Sequence, residues 1–196
     1  MHEIHLDCVD STNTYAKEHV SDFPPHQITC VHAEEQTAGR GRYQRKWISP
    51  RGVNIYATFY FRLPANTLHL ASLAQVMACS FAAVLIHEGL KPKIKWPNDV
   101  QLSGKKISGV LCETAFQKEF VDLFLGIGIN VNLDAKGAAE IDQPATSLLI
   151  ETGRKWDKAA LLKKVQKQFT TDLEQFKKGG FAPFHSAFEN LLANKG

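Results

Sequence analysis

A loop rich in arginine and glycine carries the strongest chemical signal in this sequence. Residues 36–47 read QTAGRGRYQRKW, and no acidic residue occurs from residue 36 to residue 54. Glycines let backbone N–H groups approach an anion closely, and planar guanidinium groups bind phosphate oxygens in pairs. The loop therefore indicates a polyphosphate site, with a solvated basic loop or an RNA contact as an equally open alternative. It matches neither the dinucleotide-binding fingerprint nor the Walker pattern.

A second motif, KWPND at 95–99, is followed by the lysine pair at 105–106. Pro97 fixes a turn at the end of a strand, and Asp99 can hold a neighbouring cation. The hairpin that follows could bring Lys95 and Lys106 to one site. Taken alone, the motif fits better with a turn that carries solvent-facing lysines.

A third motif, GIGIN at 126–130, places two glycines inside a predicted strand. Glycines at such positions allow another backbone or a ligand to approach closely, and Asn130 offers both a donor and an acceptor. A β-bulge explains the same glycines, and for this motif in isolation it is the stronger interpretation.

Short strands and helices surround these motifs and must position them. Alternation of apolar and polar residues predicts strands at 4–10, 28–33, 53–63, 93–96, 106–114 and 120–132. Helical spacing and capping residues predict helices from about residue 12 to Val20 and at 67–88, 147–151, 157–178 and 183–194. The sequence therefore predicts a single α+β domain over 1–196, with a mixed, largely antiparallel sheet flanked by helices.

Composition and charge narrow the classes of partner. With 23 basic and 20 acidic residues, the net charge of +3 is too small to indicate nucleic acid or an anionic membrane. We find no apolar run of 18 residues, no secretion signal and no zinc-ligand spacing, so we predict no membrane segment and no protein-bound metal. The cysteines are far apart, which predicts buried free thiols in a reducing cytoplasm; they are Cys8, Cys30, Cys79 and Cys112.

In their order and spacing, the motifs resemble those of the biotin-protein ligases, also called biotin-[acetyl-CoA-carboxylase] ligases. The resemblance is carried by DSTN at 10–13, the loop at 36–47, KWPND at 95–99, KISG at 106–109, GIGIN at 126–130 and ATSL at 145–148. It implies the class II synthetase-like core of biotin and lipoate ligases. It also implies an ATP-dependent enzyme that forms biotinyl-5'-AMP and then transfers biotin to a lysine of a biotin carboxyl carrier domain.

The resemblance further implies a role for each matching residue. Arg42 and Lys106 would be catalytic: Arg42 holds the phosphates, and Lys106 bridges the biotin carboxyl group and the α-phosphate. Biotin contacts are implied for Ser11, Thr12, Asn13, Gln36, Gly39, Arg40, Trp47 and Gly109. Nucleotide contacts are implied for Arg40, Arg42, Arg45, Lys106, Asn130 and Ser147. Structural support is implied for Lys95, Trp96, Asn98 and Asp99.

The ligands and partners implied in the same way are ATP, Mg²⁺ carried with the nucleotide, and biotin as substrate. The protein partner would be the carrier domain of acetyl-CoA carboxylase, with no nucleic acid and no membrane, in the cytoplasm. A homodimer is left open. Many members carry a C-terminal barrel and some an N-terminal helix-turn-helix; we expect neither here, and therefore weaker ATP retention or nucleotide contacts from a second subunit.

Two other functions remain as alternatives. The first is a lipoate- or octanoate-protein ligase of the same fold, which differs in its glycine-rich loop. The second is a nucleic-acid-binding module, whose affinity would fall steeply with salt. The biotin ligase is preferred because it alone uses all three motifs. It requires the loop arginines and Lys106 to meet at one acyl-phosphate junction, and the loop to become ordered when ligand binds.

Overall fold

Seven β-strands are present in the computed structural model, which describes residues 1–193. They are β1 (His2–Leu6), β2 (Thr29–Ala33), β3 (Ile55–Pro64), β4 (Lys93–Lys95), β5 (Asp99–Leu102), β6 (Lys105–Phe116) and β7 (Phe120–Ile129). They are hydrogen-bonded in the order β1-β2-β3-β7-β6-β5-β4. The pair β1 and β2 is parallel, whereas β2 with β3, β3 with β7, β4 with β5, and β5 with β6 are antiparallel. The predicted mixed, largely antiparallel sheet is confirmed.

Six α-helices lie within the same described range. They are α1 (Thr12–Glu18), α2 (Leu73–His87), α3 (Ala135–Ala139), α4 (Leu148–Thr152), α5 (Lys158–Gly179) and α6 (His185–Leu191). Of the helix predicted at 183–194, the first part is a 3-10 turn at Ala182–Phe184 that leads into α6, and residue 194 lies outside the described residues. The predicted α+β class is confirmed.

The described residues separate into two compact units. The first unit comprises Met1–Thr67 and Val110–Ile129, and the second comprises Leu68–Gly109 together with the residues from Asn130 onward. Strand β6 contributes residues to both units. The single catalytic domain over 1–196 stays a prediction, and its residues 194–196 lie outside the described part of the chain.

Strand β3 forms the core of the first unit together with β7, in a register that runs from Ile55 opposite Ile129 to Pro64 opposite Phe120. Residues 55–61 of β3 are all buried. Strict alternation predicts one buried face, so burial of both faces is a difference from the sequence-based expectation. One face of β3 is buried because it packs in an apolar cluster to which α1 also contributes. The cluster comprises Ala16, Phe23, Val31, Tyr60 and Phe124.

Two long helices form the core of the second unit. The apolar side chains of α5 recur every three or four residues, and those at Leu162, Val165, Phe169 and Leu173 are buried. Inside the pair, the Ser80 hydroxyl of α2 donates to the carboxylate of Asp172 of α5 at 2.6 Å. Hydrogen bonding compensates the burial of both groups.

The helix predicted at 67–88 begins later than its sequence pattern indicates. His69 has a left-handed backbone conformation with φ of 61°, so the regular helix cannot extend through it. A 3-10 turn follows at Leu70–Ser72, and α2 begins at Leu73. By length and composition alone, Leu70–His87 could cross a membrane, but 56% of this segment is buried inside the structure. That burial is typical of a core helix.

Two other expectations are corrected. No helix is predicted between the strand that ends at residue 132 and the helix that begins at residue 147, yet this segment contains the short helix α3, which the Asp134 side chain caps by accepting from Gly137 N–H at 2.8 Å. The thiols are free, as predicted, and Cys30 and Cys79 are buried, but Cys8 is exposed and Cys112 is only partly buried, so the burial prediction is wrong for Cys8 and holds only in part for Cys112. Cys8 lies just beyond the end of β1, whose own residues alternate between partly buried and exposed.

Replacing Asp157 tests whether side-chain capping fixes the start of α5. Its Oδ1 accepts from Ala160 N–H at 3.0 Å. We expect Asp157→Ala to lower the free energy of unfolding by about 1 kcal/mol in urea denaturation, because a helix donor loses its partner. Asp157→Asn retains a capping oxygen and should lose much less. Equal losses in both variants would contradict the capping role.

Candidate functional site

The first unit places three buried polar side chains where α1 begins. Ser11, Thr12 and Asn13 are each no more than 4% exposed. Ser11 is the N-cap residue, yet within residues 1–193 its side chain makes no capping hydrogen bond. By contrast, Ser147 and Asp157 cap their helices through side-chain oxygens. A buried hydroxyl that the helix does not use can serve a ligand.

Gln36 connects the beginning of α1 to the arginine loop, which we define as residues 36–47. Its Oε1 accepts from the backbone N–H of Thr12 at 2.9 Å and from the Thr12 hydroxyl at 3.2 Å. Its Nε2 donates to Ser49 Oγ at 3.0 Å. The amide is therefore held in one orientation. Thr12 and Gln36, two of the predicted biotin contacts, lie within hydrogen-bonding distance of each other.

The arginine loop closes on itself as a narrow stem. Trp47 N–H donates to the Gly39 carbonyl at 2.8 Å, and Gly41 N–H donates to the Arg45 carbonyl at 2.7 Å. The chain reverses at the tip, where Tyr43 has a left-handed conformation with φ of 56°. The stem is an ordered feature that composition did not predict. Ordering of the loop on ligand binding stays a prediction.

Gly39 lies at the base of this stem, where no side chain would fit. A Cβ atom there would be 2.6 Å from Ser49 Oγ and 2.7 Å from the Trp47 carbonyl oxygen. The same atom would be 2.9 Å from Gln36 Nε2. Glycine at this position therefore allows the loop base to pack directly against the Gln36 side chain.

The two glycines of GIGIN provide space for side chains from elsewhere in the first unit. A Cβ on Gly128 would be 2.4 Å from the Trp47 indole ring, and one on Gly126 would be 2.5 Å from Asn13 Oδ1. Both glycines lie in regular β7 pairing opposite β3. The close-approach interpretation is therefore the one that the geometry supports, and the β-bulge is not needed.

Thr58 is a member of this cluster that sequence reasoning missed. It is fully buried on β3, and its hydroxyl donates to Asn13 Oδ1 at 2.6 Å and lies 2.8 Å from Thr12 Oγ1. A threonine in an apolar strand carries no functional signal by itself. Only the register of β3 beside α1 gives it a role.

Glu113 is a second residue that sequence reasoning missed. Its Oε1 accepts from Lys17 at 2.6 Å, and its Oε2 accepts from Asn13 Nδ2 at 2.8 Å and from Arg40 at 3.4 Å. Burial alone would raise its pKa. The hydrogen bonds from Lys17 and Asn13 and the nearby positive charges outweigh that effect, so the pKa is lowered and the carboxylate is charged.

The arginines of the loop fall into two groups. Arg40 is one-quarter exposed and is held by Thr14 Oγ1 at 2.8 Å as well as by Glu113. Arg42 lies at the tip, where its guanidinium donates to the Tyr43 hydroxyl at 3.0 Å, and Arg45 is exposed. Cationic groups at an exposed tip can approach an anion in solution.

In the second unit, Lys106 is fixed through its backbone. Its N–H donates to the Pro144 carbonyl at 2.9 Å, and its carbonyl accepts from Thr146 N–H at 2.9 Å. The segment that contains ATSL therefore runs alongside the start of β6. The Lys106 ammonium lies 2.9 Å from Asp99 Oδ1, with the lysine side chain 16% exposed.

The other residues of KWPND are positioned by the hairpin of β4 and β5. Lys95 lies opposite Asp99 in the strand register, and Asp99 lies opposite Gly109. Asn98 is buried, whereas Trp96 is 68% exposed and precedes a cis proline. The pairing brings Asp99, Lys106 and Gly109 into one hairpin, and structural support from Lys95 and Trp96 stays a prediction.

Asn130 and Ser147 are both buried in the second unit. Asn130 donates from Nδ2 to the Thr146 carbonyl at 3.0 Å and from its backbone N–H to the Ile107 carbonyl at 2.8 Å. Ser147 donates to the Leu133 carbonyl at 2.6 Å and caps α4. The Asn130 bonds hold the backbone beside Lys106, whereas the Ser147 bonds hold the start of α4. Their contacts with nucleotide stay predictions.

Two of the cysteine thiols, Cys79 and Cys112, have raised pKa values. Burial raises the pKa of the Cys79 thiol to about 12 and that of Cys112 to about 12, with a nearby carboxylate adding to each shift. Residues 1–193 contain no group of three histidine, cysteine or acidic side chains that could hold a metal ion.

Comparison with known proteins identifies the family. Residues 5–130 match the family model described as "Biotin/lipoate A/B protein ligase family". The chain belongs to the biotin/lipoate A/B protein ligase family. The resemblance to biotin-protein ligases is confirmed, because a biotin-[acetyl-CoA-carboxylase] ligase of Paracoccus denitrificans is 34% identical over 85% of this chain and 71% of that protein.

Other relatives in the family are longer. The chain is 33% identical to the bifunctional ligase/repressor BirA of Escherichia coli over 95% of its own length but spans only 58% of that protein. A solved biotin protein ligase from Aquifex aeolicus, in complex with biotin and ATP, has a TM-score of 0.82 and 36% identity. That comparison covers 98% of this chain and 78% of the other.

The predicted site residues fall into one group in each unit, and the family match at residues 5–130 includes the whole of the first group but not all of the second. In the first unit, contacts link Thr12, Asn13, Gln36, Gly39, Arg40 and Trp47. In the second unit, contacts link Asp99, Lys106, Gly109, Asn130 and Ser147 through Thr146 and the β5–β6 pairing. Residues beyond 130, including Ser147, lie outside the matched range. Joint action of the loop arginines and Lys106 stays a prediction.

Gly128→Ala tests whether β7 must accommodate the Trp47 indole. We expect the free energy of unfolding to fall by about 1–3 kcal/mol, because the added methyl group would overlap the ring. The matched control is Gly41→Ala, whose Cβ would be 3.8 Å from its nearest neighbour and should change stability by less than about 0.5 kcal/mol. Chemical denaturation of both variants checks this, and equal effects would contradict it.

Proposed function

We propose that this chain is the catalytic part of a biotin-protein ligase. It would activate biotin with ATP to biotinyl-5'-AMP and transfer the biotin to a lysine of a biotin carboxyl carrier domain. The observation that carries the proposal is the cluster around Gln36 and Trp47, in a chain 36% identical to a ligase solved with biotin and ATP.

The cluster suits a ligand with one polar end and an apolar remainder. The buried hydroxyl groups of Ser11 and Thr12 and the partly buried amide of Gln36 match the donors and acceptors of a ureido ring. Trp47, packed on Gly128, offers an apolar wall beside them. Gly39 keeps the loop base close enough for these two halves of the cluster to adjoin.

The first reaction step brings a carboxylate against a polyphosphate, so charge neutralisation is the main requirement. The biotin carboxylate oxygen attacks the α-phosphorus of ATP, and pyrophosphate leaves. Arg42 and Arg45 at the loop tip would hold phosphate oxygens, and Lys106 would stabilise charge on the carboxyl and α-phosphate oxygens. Asp99, 2.9 Å from Lys106, would orient the ammonium before substrate binds.

The second step needs no nucleophile from this chain. The carrier lysine attacks the carbonyl carbon of the mixed anhydride, the bond to the phosphate oxygen breaks, and AMP leaves. The raised pKa values of Cys79 and Cys112 keep those thiols protonated, so they would not compete for the acyl group. This chain would bind and orient the adenylate and shield it from water.

Mg²⁺ would arrive with the nucleotide. Magnesium prefers phosphate oxygens with one or two carboxylates, and the Asp99 carboxylate lies beside Lys106. That donor set fits an ion carried largely by phosphate. Its chemistry would be neutralisation of the pyrophosphate leaving group.

The proposal extends to location and partners. The partner would be a carboxylase subunit that carries biotin, and the reaction would take place in the cytoplasm. The proposal applies equally to a monomer and to a homodimer. A lipoate or octanoate ligase is the main alternative, since the family description names lipoate as well as biotin. Biotin-dependent exchange of pyrophosphate into ATP, run beside lipoate and octanoate, tests the choice; exchange with lipoate but not biotin would overturn the proposal.

Lys106→Ala and Arg42→Ala test the charge requirement. Each should slow pyrophosphate exchange by about a hundredfold or more, because a charge-assisted contact to the transition state is lost. Lys105→Ala is the matched control, since Lys105 is the exposed neighbour of Lys106 in the same strand. Unchanged exchange in both test variants would contradict the assigned roles.

Trp47→Ala tests the apolar wall. Loss of the indole should raise the biotin dissociation constant by about tenfold to a hundredfold, measured by titration calorimetry. Trp47→Phe keeps an aromatic surface and should retain most of the affinity. Equal affinities for the alanine variant and the parent chain would remove Trp47 from the biotin site.

A further inference from the structure

The arginine loop has a carboxylate partner that its own sequence does not contain. No acidic residue occurs within 36–54, so any fixed counter-charge must come from elsewhere in the chain. Glu113 supplies it from β6, and both carboxylate oxygens are used. Its partners are Asn13 and Lys17 on α1 and Arg40 on the loop.

We propose that Glu113 is the positioning residue of the arginine loop. By holding Arg40 against α1, it fixes the stem in the conformation that accepts biotin, and it leaves the cations at the tip for phosphate. Arg40 is thereby a loop anchor and not a phosphate ligand. The inference rests on the proposed function for its kinetic consequence, although the structural part stands without it.

The anchoring is directional because Arg40 is held at two points. One terminal nitrogen donates to Thr14 Oγ1 at 2.8 Å and the other to Glu113 Oε2 at 3.4 Å. Two contacts on a planar guanidinium fix its orientation as well as its position. An arginine held in this way is no longer available to follow a phosphate group.

The contact is transmitted to the predicted biotin cluster through the backbone. Arg40 follows Gly39, whose carbonyl accepts from Trp47 N–H at 2.8 Å. Arg40 also forms a β-bridge with Lys46 on the other side of the stem. The position of Arg40 therefore sets where Trp47 lies against Gly128.

Glu113 orients the other side of the cluster through Asn13. The Asn13 Nδ2 donates to Glu113 Oε2 at 2.8 Å, while its Oδ1 accepts from Thr58 at 2.6 Å. With a partner on each side, the amide has a single orientation. One carboxylate thus aligns both α1 and the loop base.

A carboxylate near a site for anions must be neutralised, and the structure provides for this. Lys17 lies 2.6 Å and Arg40 lies 3.4 Å from the Glu113 oxygens. Two cations against one anion leave a net positive charge. Glu113 can therefore hold the loop without repelling an anionic substrate.

Glu113→Gln tests the proposal, since it keeps the shape of the side chain and removes its charge. Glu18→Gln is the matched control, because Glu18 is an exposed carboxylate on α1. Both full-length variants are digested briefly with chymotrypsin without ligand, and cleavage after Tyr43, the 82% exposed residue at the tip, is followed by mass spectrometry. Phe116 and Leu68, also exposed, serve as internal references.

We expect Glu113→Gln to speed cleavage after Tyr43 by about tenfold relative to the references, because loss of a charged hydrogen bond frees the stem. Cleavage in Glu18→Gln should match the parent chain. Equal cleavage in all three proteins overturns the proposal. If Glu113→Gln does not fold, Arg40→Gln removes the same contact from the other side and must give the same increase.

Steady-state kinetics separate positioning from general loss of structure. The KM for biotin should rise by about tenfold in Glu113→Gln, while the KM for ATP and kcat change by less than about threefold, because fewer molecules hold the accepting stem conformation. A tenfold loss in kcat with unchanged KM for biotin overturns the positioning role. Absence of biotin-dependent activity in the parent chain would refute the proposed function, whereas the cleavage result would still decide the anchoring.

Discussion

The ion pair between Arg40 and Glu113 joins three parts of the first unit that are far apart in sequence. It links a loop with no acidic residue of its own to α1 and β6, and it neutralises charge while doing so. A chain that binds anions must concentrate cations, and concentrated cations repel one another. One half-buried carboxylate relieves that repulsion at the loop base and leaves the tip cationic.

Elsewhere in the first unit, three glycines allow other groups to pack directly against the backbone. Gly126 and Gly128 on β7 leave room for the Asn13 amide and the Trp47 indole, and Gly39 leaves room for the loop base. Each glycine removes a side chain where another must sit against the backbone. The result is a polar patch around Thr12 beside an aromatic surface, held by Gln36.

In the second unit, hydrogen bonds restrain the backbone around one lysine, Lys106. Hydrogen bonds from both sides fix the Lys106 backbone, and Asn130 ties the neighbouring segment through the Thr146 carbonyl. The hydroxyl of Thr146 and that of Ser103 both donate to Glu151, at 2.6 Å and 2.7 Å. Glu151 thereby links the hairpin turn to ATSL, a connection that motif reading did not predict. The strand that carries Lys106 is thus restrained on several sides, and the ammonium is left to pair with Asp99.

The sequence by itself determined the class of fold and the family, because apolar periodicity and the order of the motifs can be read from residue types along the chain. The chemical roles of the motif side chains stay predictions. The sequence also placed the start of α5 close to residue 157, where Asp157 caps the helix. It did not give Thr58, Glu113 or Glu151, since none stands in a motif and each acquires a partner only through long-range packing. Taken alone, GIGIN also favoured a β-bulge over a close approach, and regular pairing of β7 with β3 corrects that interpretation. Only the tertiary structure decided the role of these glycines. The role depends on which groups occupy the space next to them, and those groups are the Asn13 amide at Gly126 and the Trp47 indole at Gly128.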